Sequence, residues 1–300
     1  MTPQDYEYLR SLLKDHSGLM LSAEKHYLIE SRLLPIARKA GLLNLAGLVA
    51  KLKGLDAEPL IVEVVEAMTT NESFFFRDKI PFDDFRQTIM PALLAARATS
   101  RSIRIWCAAA ATGQEPYTLA ICLKEMGKEL KGYNVEILAT DLSTQVLEKA
   151  KSGIYTQFEV QRGLPVLLLI KYFSQLGETW HIAPEIRGMV KYMPFNLLDD
   201  FSHFGKFDLV FCRNVLIYFD QATKTSVLER IADVTESDGF LVLGGAETVL
   251  GLTKRFKPVP QKHGLYVPQR AGRASDGNVD GNVVSLSAAR AGMAMALGRR

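Results

Sequence analysis

The stretch Trp106–Ala120, WCAAAATGQEPYTLA, decides the fold of this 300-residue chain. It follows an apolar run that predicts a buried strand, and it leads into a segment whose apolar residues recur at helical spacing. The turn between them consists of four alanines, a threonine and Gly113. Small residues let a backbone approach a ligand, and the first N–H groups of a helix are free to bind one. The stretch therefore indicates a strand–turn–helix unit that is either a ligand site or a tightly packed turn.

The composition is typical of a globular protein, with 48% hydrophobic and 23% charged residues. The net charge of +3 is too small to favour nucleic acid as the main partner. No apolar run reaches transmembrane length, and the charged N-terminus lacks the apolar core of a signal peptide. The three cysteines show no metal or redox spacing. We therefore expect a cytoplasmic protein without a metal site and without direct membrane insertion.

Residues 1–67 predict a small helical domain, because apolar residues recur every three or four positions and no strand pattern interrupts them. Between residues 25 and 53 this segment has one acid, Glu30, and six basic residues. The six, which we call the basic surface, are Lys25, Arg32, Arg38, Lys39, Lys51 and Lys53. They form either a solvated face or a docking surface for an acidic helical partner.

Residues 68–100 predict a linker followed by a helix. The linker motif TTNESFFFR, residues 69–77, places polar side chains before three consecutive aromatics, which cannot all face one core from a helix. Two interpretations remain open. The motif is either a linker that packs into a crevice and presents polar groups there, or the start of a helix capped by Asn71 or Ser73.

Residues 101–270 alternate strand and helix patterns, which predicts an α/β fold with a mostly parallel, doubly wound sheet. The last two strand patterns lack a full-length helix between them, so we expect one of these strands to be antiparallel at the sheet edge. Residues 271–300 contain no aromatic residue and are rich in Gly, Ala, Ser and Asn. This composition predicts a disordered tail.

Polar residues follow four of the predicted strands. Ligands of doubly wound sheets bind beyond the carboxyl ends of the strands. Asp141 ends the second strand, where an acid can accept hydrogen bonds from ribose hydroxyls. The other three strand ends carry Gln114 and Glu115, Asn196 and Leu197, and Arg213 and Asn214. Together these residues favour a cofactor that contains a nucleoside.

The first turn restricts the choice of cofactor. It lacks the G-x-G-x-x-G pattern of dinucleotide sites and the G-x-x-x-x-G-K-[ST] pattern of phosphate loops. A cofactor with adenosine but no phosphate fits best, so the sequence predicts S-adenosylmethionine.

The sequence closely resembles the chemotaxis receptor methyltransferases of bacteria, the CheR family. The matching segments occur in the family's order over about residues 1–268 and are TTNESFFFR, RIWCAAAATGQEPYTLA, ATDLSTQVLEKAKSGIY, PFNLL and FDLVFCRNVLIYFD. The resemblance implies a helical N-terminal domain joined to a Rossmann-like S-adenosylmethionine-binding domain. It implies methyl esterification of glutamates on the Glu-rich helices of membrane chemoreceptors, with S-adenosylhomocysteine as the second product. We expect a monomer that is recruited to receptor arrays.

The resemblance also assigns the site residues. It places in the cofactor site Asn71, Ser73, Arg77, Glu115, Asp141, Asn196, Leu197, Arg213 and Asn214. It places Tyr218 and Arg97 beside the transferring methyl group, where they would orient the substrate carboxylate. Two departures from the family pattern are Ser73, where the family has Thr, and the first turn. That turn often reads W-S-A-G-C-S-T-G-E-E-P-Y in the family, and here its small residues are kept as alanines while Gln114 replaces an acid.

Three other functions share part of this pattern. A non-catalytic S-adenosylmethionine sensor or scaffold would be expected to lose Asp141, Arg213 or the linker motif, and all are present. Nucleic-acid amino methyltransferases usually carry Asn/Asp-Pro-Pro-aromatic at the fourth strand, where this chain has Arg-Asn-Val-Leu-Ile-Tyr. A nicotinamide dehydrogenase would need the missing glycine pattern.

Receptor recognition leaves one further clue. Some relatives bind a receptor's C-terminal pentapeptide through a small antiparallel β insert that precedes PFNLL. Here that segment, YFSQLGETWHIAPEIRGMVKY, is short and has no Gly-rich extension. We therefore expect no such insert, and methylation that does not depend on the pentapeptide.

Overall fold

The computed structural model describes residues 1–21 and 26–269. Lys25 of the basic surface and the predicted tail, 271–300, lie outside the described residues. No helix in the described ranges is long and apolar enough to cross a membrane.

The N-terminal segment is helical, as predicted. Its described helices are α1 (Pro3–Ser17), α2 (His26–Lys39), α3 (Leu45–Leu52) and α4 (Glu58–Met68). They share one core, which includes the fully buried Leu13 and Leu33. Helix α1 begins with a capping box, in which the Thr2 hydroxyl and the Asp5 carboxylate each accept the other residue's backbone N–H. It ends at Gly18, whose φ of 73° is the left-handed conformation that favours glycine.

The linker motif packs as an irregular segment, and the alternative of a helix start at Asn71 or Ser73 is wrong. The helical segment begins only at residue 80, with α5 (Ile80–Asp84), a π-helical turn (Phe85–Ile89) and α6 (Met90–Ala96). Phe75 is fully buried, and its ring centroid lies 5.1 Å from that of Tyr155. Phe74 instead lies against the guanidinium of Arg162. The aromatics therefore anchor the linker while its polar residues stay available.

A seven-stranded sheet of order β6-β2-β1-β7-β8-β10-β9 forms the C-terminal part. Its strands are β1 (Ser102–Ala108), β2 (Asn134–Asp141), β6 (Val190–Pro194), β7 (Phe207–Cys212), β8 (Thr235–Leu243), β9 (Phe256–Pro258) and β10 (Leu265–Pro268). The first five of these pair in parallel, which confirms the doubly wound prediction. Strand β10 is antiparallel to β8, as expected, but the three-residue β9 lies outside it and forms the edge. Helices α7 (Gln114–Met126), α8 (Thr144–Ser152) and α12 (Gln221–Val234) connect the strands.

A small antiparallel sheet stands between α8 and β6, which corrects the expectation of a segment without an insert. Its strands, in the order β3-β5-β4, are β3 (Ile154–Thr156), β4 (Phe173–Leu176) and β5 (Thr179–Ile182). Short helices accompany it: α9 (Gln157–Gln161), α10 (Val166–Tyr172) and α11 (Pro184–Arg187). Strands of three or four residues are too short to show a readable alternation in the sequence.

Gly163 holds this small sheet subdomain against the linker, and replacing it is expected to destabilise the protein strongly. A Cβ at Gly163 would lie 2.0 Å from the carbonyl oxygen of Phe75, at a φ of +85°. Gly177 is a matched control, because its φ is +60° and nothing lies within 4 Å of its Cβ position. The left-handed backbone costs alanine about 1 kcal/mol at either position, and the overlap at Gly163 adds roughly 1–3 kcal/mol. Urea unfolding of Gly163→Ala and Gly177→Ala measures the difference, and equal losses of stability would contradict the close contact.

Candidate active site

A cleft of about 960 Å³, partly open to solvent, lies at the carboxyl ends of β1, β2, β6 and β7. The linker and the segment after α1 complete its wall. Of the residues assigned from the sequence, the structure brings into this wall Asn71, Ser73, Arg77, Glu115, Asp141, Asn196, Leu197, Arg213, Asn214 and Tyr218. The convergence of strand ends expected for a doubly wound sheet is therefore present.

The alanine turn lines the cleft with Ala109, Ala110 and Ala111. Ala109 and Ala111 adopt positive φ values of 62° and 48°, an uncommon conformation for residues with a Cβ. Gly113 begins α7 with a φ of 92°, and a Cβ there would lie 2.8 Å from the hydroxyl of Tyr192. The turn is thus tightly packed at Gly113, while Ala109, Ala110 and Ala111 line the cleft. The structure confirms tight packing at Gly113, and the ligand-site interpretation stays a prediction.

Asp141, at the end of β2, is held by backbone donors. Its carboxylate accepts hydrogen bonds from the N–H groups of Ala111, at 2.8 Å, and Ser143, at 3.0 Å. Burial raises the pKa of Asp141, while these backbone hydrogen bonds oppose the rise. Since each carboxylate oxygen accepts more than one hydrogen bond, acceptor capacity remains for a ligand hydroxyl.

Arg213 joins three elements in the wall of the cleft. Its side chain is 1% exposed and donates to the carboxylates of Glu115, at 2.8 Å, and Asp78, at 2.7 Å. It also donates to the carbonyl oxygen of Arg77, at 3.0 Å. Burial raises the pKa of Glu115, and the positive charge of Arg213 opposes this. Arg213 therefore fixes the linker against the first turn of α7, and Asp78 is a partner that the sequence did not reveal.

The linker supplies further polar groups to the cleft. The Asn71 side-chain amide donates to the hydroxyl of Thr69 at 3.0 Å. The Arg77 guanidinium donates to the carbonyl oxygen of Glu72 at 2.8 Å and lies against the ring of Phe74. These contacts orient Asn71 and Arg77 and use only part of their hydrogen-bonding capacity.

Asn196 connects the sheet to the N-terminal helices. Its amide nitrogen donates to the carbonyl oxygen of His16 at 2.8 Å, and its amide oxygen accepts from the N–H of Leu198 at 3.0 Å. Lys14 of α1 forms an ion pair of 2.8 Å with Asp220, which caps α12. The side chain of Asn196 therefore positions α1 as one wall of the cleft.

The end of α1 is part of the cleft, which sequence reasoning missed. Ser17 and Leu19 line it, and the N–H of Met20 donates to the carbonyl oxygen of Tyr218 at 2.8 Å. A Cβ at Gly18 would lie 2.8 Å from the ring of Phe219, so the two segments touch closely. The helix-stop glycine was the only sequence signal, and it says nothing about which distant segment it contacts.

Tyr218 ends a short 3₁₀ turn, Leu216–Tyr218, and faces the cleft. Its hydroxyl has no hydrogen-bond partner within residues 1–21 and 26–269. It is therefore free to donate a hydrogen bond to a substrate.

Arg97 lies away from the cleft, which corrects its assignment to the reaction centre. Its guanidinium pairs with Asp208 and Asp238, each at 2.6 Å. Asp208 is the second residue of β7, so this cluster lies at the amino ends of the strands, whereas the cleft lies at their carboxyl ends. These ion pairs attach the end of α6 to β7 and β8.

The basic surface is smaller than the sequence suggested. Arg32 is half-buried and donates to the carbonyl oxygens of Met68, at 2.9 Å, and Thr69, at 2.7 Å, so it caps α4. The exposed members with described side chains are Arg38, Lys39, Lys51 and Lys53. Lys39 pairs with Glu63 at 2.7 Å.

Comparison with known proteins gives matches over almost the whole described chain. The family model described as "CheR methyltransferase, all-alpha domain" matches residues 4–69, and "CheR methyltransferase, SAM binding domain" matches residues 71–265. The chain is 39% identical over 265 residues to chemotaxis protein methyltransferase 1 of Pseudomonas aeruginosa, covering 87% of this chain and 96% of that protein. With the same coverage, it is 37% identical to chemotaxis protein methyltransferase Cher2 of Pseudomonas putida. It is 35% identical over 268 residues to chemotaxis protein methyltransferase of Vibrio parahaemolyticus, covering 88% of this chain and 96% of that protein.

Proposed function

The chain belongs to the CheR family of chemotaxis protein methyltransferases, and from this premise we propose that it methylates glutamate side chains of chemoreceptors. Methyl transfer with S-adenosylmethionine as the cofactor is the activity of the family. Our proposal adds the identity of the methyl acceptor, a glutamate side chain. The observation that carries the proposal is the free hydroxyl of Tyr218, which faces the cleft that also contains Asp141 and Arg77.

The cleft residues fit S-adenosylmethionine. Asp141 offers buried carboxylate oxygens to ribose hydroxyls, and the alanine turn lets the ligand approach backbone. The methionine end carries a carboxylate and an ammonium group, which suit Arg77 and Glu115.

The reaction requires positioning and no general base. A glutamate side chain has a pKa of about 4.3, so at neutral pH it is already an anionic nucleophile. The bound cofactor supplies an electrophilic methyl group on sulfur. Tyr218 would donate a hydrogen bond to one carboxylate oxygen and so hold the other in line with the methyl group. There the O–C bond would form as the C–S bond breaks, and S-adenosylhomocysteine would leave with the bonding electron pair. Holding the carboxylate in line contributes several kcal/mol, about 7–11 in well-oriented systems.

The methylation assay tests this proposal directly. The full chain is incubated with tritiated S-adenosylmethionine and receptor-containing membranes, and the label is then tested for release as methanol in alkali. Alkali-labile label on the receptor is the expected result, because glutamate methyl esters hydrolyse. Alkali-stable label would exclude a glutamate substrate, and cofactor binding without any transfer would identify a sensor or scaffold.

Tyr218→Phe is expected to lower kcat about tenfold while leaving cofactor affinity unchanged. Loss of one hydrogen bond to the substrate carboxylate costs roughly 1.5 kcal/mol. Initial methylation rates and calorimetric Kd values for S-adenosylhomocysteine measure the two quantities. Tyr133→Phe is the control, because it removes a hydroxyl that donates to the carbonyl oxygen of Leu94 outside the cleft. An unchanged kcat for Tyr218→Phe would remove the tyrosine from the mechanism.

We further propose that methylation does not require the receptor pentapeptide. The small sheet subdomain is present, but Gly177 and Glu178 alone join β4 to β5, so no Gly-rich extension projects from it. Calorimetry with an isolated C-terminal pentapeptide from a receptor that carries one is expected to show no binding. A tight complex would overturn this proposal and leave the methylation chemistry untouched.

The basic surface is proposed to guide the acidic receptor helices to the cleft. Its exposed members, Arg38, Lys39, Lys51 and Lys53, carry positive charge on the helical domain. Individual exposed charge pairs contribute little to affinity, so the surface would mainly increase the association rate at low salt. We propose that the enzyme acts at receptor arrays and that it does so as a monomer.

A further inference from the structure

Glu247 is a buried carboxylate in the loop after β8, and it does not line the cleft. Its side chain accepts hydrogen bonds from four backbone N–H groups, those of Gly244, Asn214, Val215 and Ile217, at 2.7, 2.8, 3.0 and 3.3 Å. No cationic side chain in the described part of the chain forms an ion pair with it. The described contacts of the carboxylate are therefore hydrogen bonds from backbone N–H groups.

The segment that Glu247 binds carries residues of the cleft. Asn214, Val215 and Tyr218 line it, and Asn214 has a φ of 59°, in the left-handed region that asparagine tolerates better than most other residues with a Cβ. Backbone N–H groups that are withdrawn from water need acceptors, because an unpaired donor is costly. Glu247 supplies the acceptors for the three N–H groups at 214, 215 and 217.

Gly244 provides independent support for this arrangement. A Cβ at Gly244 would lie 2.8 Å from Oε2 of Glu247 and 2.9 Å from the backbone nitrogen of Asn214. Only glycine therefore allows the carboxylate and the segment at Asn214 to meet at this distance.

We propose that Glu247 is a positioning residue for methyl transfer. By accepting the backbone N–H groups of residues 214–217, it fixes the turn that ends at Tyr218, and so it sets the direction of the Tyr218 hydroxyl toward the substrate. Met20 holds the same turn from the other side, through the carbonyl oxygen of Tyr218. The inference rests on the proposed role of Tyr218.

A double-mutant cycle tests whether Glu247 acts through Tyr218. Glu247→Gln keeps the size of the side chain but replaces one acceptor oxygen with a donor, so it is expected to lower kcat about tenfold in the otherwise native enzyme. In the Tyr218→Phe background it is expected to lower kcat less than twofold. Equal effects in both backgrounds would overturn this inference alone. A wild-type kcat for Tyr218→Phe by itself would remove the proposed role of Tyr218, and the inference would fall with it.

Hydrogen exchange of the full-length wild-type protein gives a second test that does not depend on a variant folding. The amides of Asn214, Val215 and Ile217 are expected to exchange slowly, and Glu247→Gln is expected to accelerate them without accelerating exchange in β1 and β7. Fast exchange of these amides in the wild-type protein would overturn the inference. Glu229→Gln is the control for the variant, because Glu229 forms an ion pair with Arg255 on the surface of α12. This substitution is expected to leave kcat unchanged.

Discussion

Arg213→Met is expected to lower the free energy of unfolding by about 3–5 kcal/mol and to abolish cofactor binding. The Arg213 side chain is 1% exposed and forms ion pairs with Glu115 and Asp78. Its removal leaves the Glu115 carboxylate without its ion-pair partner in a site where burial already raises the pKa of this residue. The linker would also lose its attachment to β7, because Arg213 holds both Asp78 and the carbonyl oxygen of Arg77. Stability and cofactor affinity should therefore fall together.

Chemical unfolding and calorimetry with S-adenosylhomocysteine measure the two effects. Arg255→Met is the matched control, because Arg255 also pairs with two acids, Glu229 and Asp233, but on the surface. Its loss is expected to cost about 0–1 kcal/mol. Adding Glu115→Gln to Arg213→Met should restore part of the stability, because it neutralises the unpaired carboxylate. Wild-type stability for Arg213→Met would show that the cluster does not hold the linker.

The sheet and most of the cleft could be predicted from the sequence because their determinants are local. Strand β7 is buried along its whole length, and a continuous apolar run predicts such a strand. The carboxyl ends of neighbouring parallel strands meet at one edge of a sheet, so Asp141 and Asn214 could be placed together before their distance was known. The missing phosphate-binding glycines then favoured a cofactor without phosphate.

The errors concern contacts between residues that are distant in the chain. Arg97 and Asp208 are 111 positions apart, and Asn196 and His16 are 180 positions apart. Hydrophobic periodicity shows which face of a helix or strand is buried. It does not show which other helix or strand that face contacts, or at which end. The resemblance placed Arg97 at the wrong end of the sheet, and periodicity could not reveal the contribution of α1.

The basic surface and Glu247 illustrate a second limit. Charge counting treated Arg32 as exposed, whereas its guanidinium caps α4. Glu247 follows two glycines in an ordinary loop pattern, and nothing in that pattern shows that four backbone N–H groups converge on its carboxylate. A side chain that satisfies backbone groups is recognisable only when the backbone is in place.

Asp141→Asn is expected to weaken cofactor binding about 100-fold, because two hydrogen bonds from ribose hydroxyls to a charged acceptor contribute roughly 1.5 kcal/mol each. The wild-type affinity should also fall as the pH is lowered, since ligand hydroxyls donate to the ionised carboxylate. Burial raises the pKa of Asp141, so this loss begins at a higher pH than the value of about 3.9 for an exposed aspartate would give. Calorimetry with S-adenosylhomocysteine from pH 8 to pH 5 should show a smaller pH dependence in Asp141→Asn, with the remainder due to Glu115, whose pKa burial also raises. Asp56→Asn, at an exposed position between α3 and α4, should reproduce the wild-type curve. An identical pH dependence in Asp141→Asn and the wild-type protein would show that the Asp141 carboxylate does not bind the cofactor.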